Sequence, residues 1–434
     1  MFVRAKRVCS TLAVTLLLHT TLAAVQPAAV RAEEAPVAQS TELQLNAKSA
    51  VLMDAATGQI LYQYNADQAF PPASMAKMMT EYLVMEAVDA GKLKMDEMIT
   101  ASQYAADVIG SGGLLANNEQ ATVDNMFAAM SIYSSNDASV ALAERIGGSE
   151  EKFAQMMNDK AKELGLSAQA HFNNATGLSI ADLGKYAPKE NKQETMLTAK
   201  DAAIIAYRII KDHPKVLEYT KTPTRKFREK DPAPMVNWNW MLEGNKDNAN
   251  FKRYAYQGLD GLKTGHTNEA GYCFTGTAER NGMRLISVVM GTPTEPKRFE
   301  ETRKVLDYGF NNFESKQIAA AGAPISSLQT VNIKKGVETE VPVVTEQEMK
   351  LVVKKGTPDS EIQVTGQALA DESKITAPIQ KGQVLGTAKV TYNGSEHTVN
   401  LVAAQEVEKG SWVRLFFRAI KNFFVDTISG AKKG

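Results

Sequence analysis

Residues 74–89 constrain the fold of this 434-residue chain more than any other segment. Their methionine, leucine and tyrosine side chains cover so much of the circumference of a helix that the helix must be buried. Pro71 and Pro72 come just before this segment, and Gly91 ends it. The sequence therefore predicts a globular domain built around a central apolar helix.

Strand and helix patterns surround this central segment. A hairpin is predicted at 51–64, and a second one at 272–290 about the turn Arg280-Asn281-Gly282. An α-rich centre between strands fits one sheet with helices on both sides. The other predicted helices span 123–134, 138–146, 150–164, 199–211 and 298–312.

The pattern changes from about residue 315 onward, where short strands replace helices. The turn Asn393-Gly394 supports a hairpin there. We therefore expect a small all-β domain of about ninety residues. Its predicted strands lie at 331–344, 351–353, 362–364, 384–392 and 397–402. The predicted division is an export signal at 1–32, a large domain of helices and strands at 33–314, the β-rich domain at 315–405 and a terminal helix at 406–434.

The N-terminus has the pattern of an export signal. A basic stretch at 4–7 precedes an apolar run at 11–25, and small residues at 28–32 favour cleavage after Ala32. The alternative is an uncleaved anchor, although the apolar run is short for a spanning helix. Either way we expect export. Cys9 leaves with the signal, so the mature chain keeps Cys273 alone and forms no internal disulfide.

The last segment, 411–428, has an amphipathic pattern. Its aromatic and aliphatic residues fall on one broad helical face, whereas Arg414, Arg418 and Lys421 lie opposite or at the edge of that face. Such a helix is typical of the interface of an anionic membrane, and its charges argue against a spanning helix. The alternative is a helix docked on its own β-domain. The apolar face is formed by Trp412, Val413, Phe416, Phe417, Ile420, Phe423, Phe424 and Ile428.

The charge balance and the histidines exclude other classes of function. Lysine and arginine number 49, as do aspartate and glutamate, so no net charge favours nucleic acid. The five histidines are widely scattered and do not cluster with cysteine at metal-ligand spacing. We therefore expect no metal and no cofactor.

Three motifs carry the chemistry: Ser74-Met75-Ala76-Lys77, Ser134-Ser135-Asn136 and Lys263-Thr264-Gly265. Ser-x-x-Lys recurs at 149–152 and 429–432, but only the first copy precedes a Ser-x-Asn and then a Lys-Thr-Gly. This set is typical of class A β-lactamases and penicillin-binding proteins. We expect Ser74 to open the buried helix, and Lys263-Thr264-Gly265 to start a strand.

Each motif supplies groups that acyl transfer needs. Ser74 is the candidate nucleophile, and a neutral Lys77 is the candidate base, because burial and a nearby Lys263 lower its pKa. The other motif residues have substrate-directed roles. Ser134 can relay a proton to the leaving amine, and Asn136 can hold the substrate amide. Lys263 and Thr264 can bind a carboxylate, and Gly265 can admit the substrate backbone. The backbone N–H groups of Ser74 and His266 can form an oxyanion hole.

The chain resembles the low-molecular-mass penicillin-binding proteins, specifically the D-Ala-D-Ala carboxypeptidases. The stretches 172–178, 198–201 and 261–267 add to the three motifs. The resemblance implies an α/β (α+β) β-lactamase/DD-peptidase-like catalytic domain, a small all-β domain and a C-terminal amphipathic helix. It also implies that Arg298 helps to hold the substrate carboxylate.

The activity implied is that of a serine D-Ala-D-Ala carboxypeptidase at the outer face of the cytoplasmic membrane. Its substrate would be the peptidoglycan stem peptide, and β-lactam antibiotics would acylate Ser74. One alternative is a β-lactamase, but residues 169–173 lack the Glu-x-x-Leu-Asn pattern of class A enzymes. A non-catalytic cell-wall-binding protein is the other alternative, and it has no need of the full set of motifs. Residues 179–195 form a longer and more charged loop than the family pattern predicts.

Overall fold

A computed structural model describes residues 43–430 of the chain, with side chains from 43 to 421. The predicted signal, 1–32, lies outside the described residues. The elements of the predicted catalytic domain begin with the hairpin and the central helix. Its strands are β1 (Ser49–Asp54), β2 (Ile60–Tyr64), β3 (Met98–Thr100), β4 (Gln120–Thr122), β5 (Thr224–Arg225), β6 (Met235–Val236), β7 (Leu259–Thr267), β8 (Gly271–Arg280) and β9 (Met283–Thr292). Its helices are α1 (Lys77–Asp89), α2 (Gln103–Asp107), α3 (Val123–Tyr133), α4 (Asn136–Gly147), α5 (Glu150–Glu163), α6 (Ile180–Leu183), α7 (Ala199–Asp212), α8 (Val216–Thr220) and α9 (Glu295–Asn312).

The main sheet has the antiparallel order β2-β1-β9-β8-β7 and separates two cores. Side chains alternate along β1, so Val51 and Met53 face one core whereas Ala50 and Leu52 face the other. Helices α1, α3, α4 and α7 fill the first core, and α9 covers the opposite face. This arrangement confirms the prediction of one sheet with helices on both sides.

The central helix is as buried as its composition requires. Met75, Met78 and Met79 are fully buried, and Tyr82 and Leu83 are 4% exposed. The predicted helix at 74–89 starts as a 3-10 turn, Ala73–Ala76, which continues into α1. Ser74 therefore lies in a tight turn at the entrance of the buried helix.

Several predicted boundaries differ from the structure, and three of the differences have a local cause. Strand β7 begins at Leu259, after a positive φ at Gly258, so the expectation that Lys263 starts the strand was wrong. Helix α9 begins at Glu295, because a proline is compatible with the first turn of a helix. Helix α3 ends at Tyr133, since Ser134 adopts a left-handed conformation with φ of 59°.

The C-terminal region forms a second antiparallel sheet with the order β11-β12-β16-β15-β14 and a separate β10-β13 ribbon. The predicted strand at 331–344 is divided in two by a bend that includes Lys335, which has φ of 59°. Strand β10 follows α9 directly and was not predicted; the predicted domain boundary after residue 314 falls inside it. The elements are β10 (Phe313–Ala319), β11 (Thr330–Asn332), β12 (Glu340–Thr345), β13 (Met349–Lys354), β14 (Gln363–Ala368), β15 (Val384–Tyr392), β16 (Ser395–Ala403) and α10 (Trp412–Gly430).

Helix α10 exposes its large apolar side chains. Trp412 is 78% exposed, Phe417 65% and Phe416 54%. Phe423, Phe424 and Ile428, also predicted on this face, lie outside the described side chains. Arg418 donates to the carbonyls of Gly336 and Val337, which attaches the helix to the β-rich region. In residues 43–430, every helix is too short or too polar to cross a bilayer.

Candidate active site

The turn that carries Ser74 is held by close backbone packing. A Cβ added to Gly265 on β7 would lie 2.4 Å from the carbonyl oxygen of Pro72, and one added to Gly177 would lie 2.0 Å from that of Ala73. Neither position can hold a side chain without moving the turn. Glycine is therefore needed at position 265 for a second reason besides the proposed admission of substrate, because the strand and the Ser74 turn pack directly against each other.

Lys77 lies one helical turn after Ser74 and is fully buried. Its Nζ is 2.9 Å from Ser74 Oγ, 2.7 Å from Asn136 Oδ1 and 2.8 Å from the carbonyl oxygen of Thr176. The last two atoms only accept hydrogen bonds, and Asn136 Nδ2 donates to the carbonyl of Ile109, which fixes the orientation of its amide. A neutral amine has two N–H groups for these acceptors and one lone pair, which is left for the Ser74 hydroxyl.

The electrostatic environment favours this neutral form. Burial lowers the pKa of Lys77 well below its ordinary value, and the charge of Lys263 lowers it further. Glu81, Glu150 and Asp137 oppose this shift. Lys77 therefore meets both the geometric and the electrostatic requirement for a general base toward Ser74.

Ser134 and Lys263 form the other half of the site. Lys263 Nζ lies 2.9 Å from Ser134 Oγ and also donates to the carbonyl of Thr264 at 3.2 Å. The left-handed conformation of Ser134 ends α3 and places its hydroxyl beside β7. Burial lowers the pKa of Lys263 to about 8. Lys263 can thus hold a charge near neutral pH while it contacts the candidate proton relay.

A cleft of about 230 Å³ opens in front of these groups. Of the predicted residues, Ser74, Ser134, Thr264, Gly265, His266 and Arg298 line it. Lys77, Asn136 and Lys263 lie directly behind the lining residues through the hydrogen bonds described above. Both ends of the Asn136 amide are occupied by protein groups, so in this arrangement Asn136 orients Lys77.

Arg298 belongs to α9 and lines the cleft. Its side chain is 3% exposed, pairs with Glu295 at 2.6 Å and donates weakly to the carbonyl of Gly265 at 3.4 Å. Its Nε has no hydrogen-bond partner among the described residues. Burial lowers its pKa to about 10, which leaves it charged at neutral pH. A bound carboxylate would compete with Glu295 for this guanidinium.

Sequence reasoning missed four residues that line the cleft: Ser111, Trp238, Tyr272 and Glu295. Trp238 is 37% exposed, and its ring stacks on Tyr133 with centroids 6.0 Å apart. Two tryptophans alternate with two asparagines at 237–240, and this pattern was the available signal, since exposed tryptophan in a loop is typical of binding surfaces. Tyr272 stacks on the His266 ring at 4.0 Å, which fixes that side chain at the edge of the cleft.

The charged loop at 179–195 packs beside the site. Tyr186 stacks on Tyr104 of α2 at 4.2 Å, and its hydroxyl donates to Asp107. At the other end of the loop, His171 contacts the carbonyl of Glu194 at 3.0 Å. These contacts give the loop an orientation that its composition did not predict. His171 thus packs against the end of the loop.

Known proteins share this combination of fold and sequence. The family model described as D-alanyl-D-alanine carboxypeptidase matches residues 34–294, and the model described as penicillin-binding protein 5, C-terminal domain, matches residues 313–409. The D-alanyl-D-alanine carboxypeptidase DacF of Bacillus subtilis is 35% identical to this chain, and the match covers 96% of this chain and 98% of the relative.

Two solved structures extend the comparison. A peptidoglycan synthesis regulatory factor (PBP3) from Streptococcus pneumoniae superposes with a TM-score of 0.74 at 31% identity, covering 84% of this chain and 100% of that one. Penicillin-binding protein D2 from Listeria monocytogenes, in its ampicillin-bound form, gives a TM-score of 0.50 at 36% identity over 61% of this chain and 98% of that one. The chain belongs to the D-alanyl-D-alanine carboxypeptidase family of serine peptidases, which are low-molecular-mass penicillin-binding proteins.

Proposed function

We propose that this enzyme removes the terminal D-alanine of peptidoglycan stem peptides through an acyl-enzyme on Ser74. The observation that carries the assignment is the set of contacts around Lys77. Two acceptors take the N–H groups of its neutral amine, and Ser74 Oγ lies 2.9 Å from the Nζ atom, whose lone pair is left for the serine hydroxyl. The amine is thereby oriented to take the proton of the serine hydroxyl.

The first half of the reaction forms the acyl-enzyme. Lys77 takes the proton from Ser74, and Ser74 Oγ attacks the carbonyl carbon of the penultimate D-alanine. The peptide bond then breaks, and the terminal D-alanine leaves after its nitrogen receives a proton. Ser134 is the hydroxyl best placed to pass that proton, since it faces the cleft and contacts Lys263 at 2.9 Å. Backbone N–H groups of Ser74 and His266 would stabilise the oxyanion.

The second half hydrolyses the ester. A water molecule gives a proton to the base and attacks the acyl carbonyl, the bond to Ser74 Oγ breaks, and the serine regains its proton. The shortened stem peptide then leaves. A β-lactam follows the first half of the same route, in which its ring amide opens to an ester on Ser74. The ampicillin-bound relative supports such binding.

A free carboxylate distinguishes the substrate, and the cleft contains cations suited to it. Arg298 and Thr264 line the cleft, and Lys263 lies behind Thr264. A guanidinium can bind a carboxylate through two parallel hydrogen bonds. We assign the terminal carboxylate of D-alanine to this end of the cleft, which explains a preference for removing a C-terminal residue.

Neither alternative function receives support from a specific observation. The curated relative with 96% coverage of this chain is named a carboxypeptidase. A wall-binding protein gains nothing from a fully buried lysine oriented toward a serine. A labelled-penicillin gel on the wild-type protein and on Ser74→Ala tests the assignment. We expect a band for the wild type alone, and a labelled Ser74→Ala protein would contradict it.

We further propose that the mature enzyme is exported and rests on the outer face of the cytoplasmic membrane through α10. The exposed Trp412, Phe416 and Phe417 support this, because such a face is stabilised when it enters a bilayer interface. Arg414 is exposed and suited to anionic headgroups, whereas Arg418 contacts carbonyls of the β-rich region. One side of the helix thus contacts the β-rich region and the other side exposes apolar residues. The two alternatives from the sequence, a docked helix and a membrane-interface helix, are therefore compatible with each other.

Vesicle co-sedimentation tests this attachment. We expect the mature protein to sediment with vesicles that contain anionic lipid. A protein without α10 (residues 412–434) keeps the buried Val407 of the β-rich region, and we expect it to remain soluble with unchanged activity on a soluble D-Ala-D-Ala peptide. Salt should weaken the binding without abolishing it, because only part of the attraction is electrostatic. Equal sedimentation of both proteins would contradict the proposal.

A further inference from the structure

A third buried charged group lies behind the two lysines of the active site. Glu81 follows Lys77 by one turn of α1 and is 0% exposed. Neither of its carboxylate oxygens has a hydrogen-bond partner among the described residues, and the same is true of the hydroxyl of Ser131 on the neighbouring helix α3. The mechanism proposed above does not use this carboxylate.

A buried carboxylate without hydrogen bonds is costly unless nearby positive charge compensates it. The pKa of Glu81 is raised to about 7, because burial raises it by more than the charge of Lys263, the nearby hydroxyl of Ser131 and the charge of Lys77, in that order, lower it. Glu81 in turn favours the charged form of Lys263, against burial and the charge of Arg298. The carboxylate and the Lys263 ammonium therefore stabilise each other.

The reaction needs opposite states of two neighbouring lysines. Lys77 must be neutral to act as base, whereas Lys263 must be charged to attract a carboxylate and to contact Ser134. Both are buried, and burial lowers the pKa of each, which disfavours both ammonium forms. A single negative charge beside the pair can stabilise one ammonium, and the repulsion between the lysines then keeps the other amine neutral.

We propose that Glu81 is a positioning residue for the reaction, whose buried carboxylate keeps the proton on Lys263 while Lys77 remains neutral. This inference rests on the roles of Lys77 and Lys263 proposed above. The charged and polar groups that face this cluster come from six elements: Lys77 and Glu81 from α1, Ser131 from α3, Asp137 from α4, Glu150 from α5, Lys263 from β7 and Arg298 from α9.

The expected effect is a shift of the alkaline limb in the pH profile of the acylation rate, that is, the range in which the rate falls as pH rises. The wild-type limb should lie near the pKa of Lys263, about 8, because deprotonation of that residue removes the cation. Removing the Glu81 charge lowers the pKa of Lys263, so the limb moves to lower pH, by about one unit. The acid limb should not move to higher pH, because the same substitution removes a charge that favours the Lys77 ammonium.

The experiment measures the second-order rate of acylation by a fluorescent penicillin across pH for full-length protein and for Glu81→Gln and Glu81→Met. The methionine variant is included because an apolar side chain of similar volume often replaces a buried charge without loss of stability. Glu81→Asp keeps the charge and should restore much of the wild-type profile. Glu86→Gln is the matched control, since Glu86 lies on the same helix but is 43% exposed and pairs with Lys160.

The outcomes separate this inference from the function on which it rests. An alkaline limb displaced in the glutamine and methionine variants, but not in Glu86→Gln, supports the proposal. An alkaline limb at the wild-type pH in folded Glu81 variants overturns it, even if their melting temperatures change. Absence of acylation in the wild-type protein would instead overturn the assignment of Ser74 and, with it, this inference.

Discussion

The active site and the terminal helix depart from the usual distribution of side chains in opposite directions. Around Ser74, the ionisable groups Lys77, Lys263 and Glu81 are at most 2% exposed, whereas on α10 Trp412 and Phe417 are more than half exposed. Each arrangement is unfavourable in an isolated soluble protein. The comparison teaches that the cost of burying ionisable groups is offset inside the chain, by charges that compensate one another. The cost of exposing the apolar face of α10 is not offset by the described residues, and the proposed membrane contact would offset it.

The largest effect should come from removing the nucleophile. Ser74→Ala should reduce acylation and D-alanine release by at least about three orders of magnitude, because no other group can form the ester. The fold should remain intact, since alanine fits the 3-10 turn. The rate of acylation by a labelled penicillin, together with a thermal melt, checks both expectations.

Ser149→Ala is the matched control, because Ser149 begins another Ser-x-x-Lys sequence. Its hydroxyl accepts a hydrogen bond from the backbone N–H of Lys152 and caps α5. Its replacement should cost about 1 kcal/mol of stability and leave acylation unchanged. Loss of acylation in this variant would show that the wrong motif had been chosen.

Variants of α10 test whether its exposed apolar face binds lipid. The double variant Phe416→Ser, Phe417→Ser should weaken binding to anionic vesicles about 100-fold, since each ring is expected to contribute at least about 1.4 kcal/mol in the interface. Acylation in solution should not change. Met98→Ser removes another exposed apolar side chain, 53% exposed and distant in sequence, and should leave vesicle binding intact.

The pH dependence of acylation tests whether the buried Lys77 is neutral. The pKa of Lys77 is well below its ordinary value, so the amine should still be neutral at pH values where a free lysine is charged. As pH falls through that lowered pKa, Lys77 gains a proton and the rate should fall about tenfold per pH unit. A rate that keeps rising up to about pH 10.4 would contradict a neutral Lys77.

The smallest effect is expected at the join between the β-rich region and α10. Arg418→Ala removes two hydrogen bonds to the carbonyls of Gly336 and Val337. We expect faster amide exchange in the first turns of α10 and a change of only a few-fold in vesicle binding, because the apolar face remains. A loss of binding as large as that of the double phenylalanine variant would show that docking, not the aromatic face, holds the protein at the membrane.

Much of the site was predictable, because short motifs fix residue types that adjacent turns and strands bring together. The order of the motifs around Ser74, Ser134 and Lys263 identified the groups that the fold gathers in one cleft. The contacts of Asn136 and the role of Gly265 in packing were not predictable, since both depend on backbone atoms from distant segments: Ile109 for the first and Pro72 for the second.

In the fold, too, local sequence patterns were predictable, whereas features that depend on distant contacts or on an interrupted pattern were not. Periodicity predicted the main helices and the hairpins, and it failed where backbone conformation interrupts a pattern, as at Lys335 within the predicted strand 331–344. Strand β10 was missed because it follows α9 without a turn signal. The position of the loop at 179–195 depends on the stacking of Tyr186 on Tyr104, which no local pattern contains.

The placement of the tryptophans provides the enzyme with built-in optical reporters. The chain has three: Trp238 lines the cleft, Trp412 lies on the exposed face of α10, and Trp240 packs among Phe251, Tyr254 and Phe299. Their fluorescence should therefore respond to three different events, namely occupation of the cleft, contact with lipid and loss of the folded core. Single Trp→Phe variants would separate the three signals and allow acylation and membrane attachment to be followed in one sample without a label.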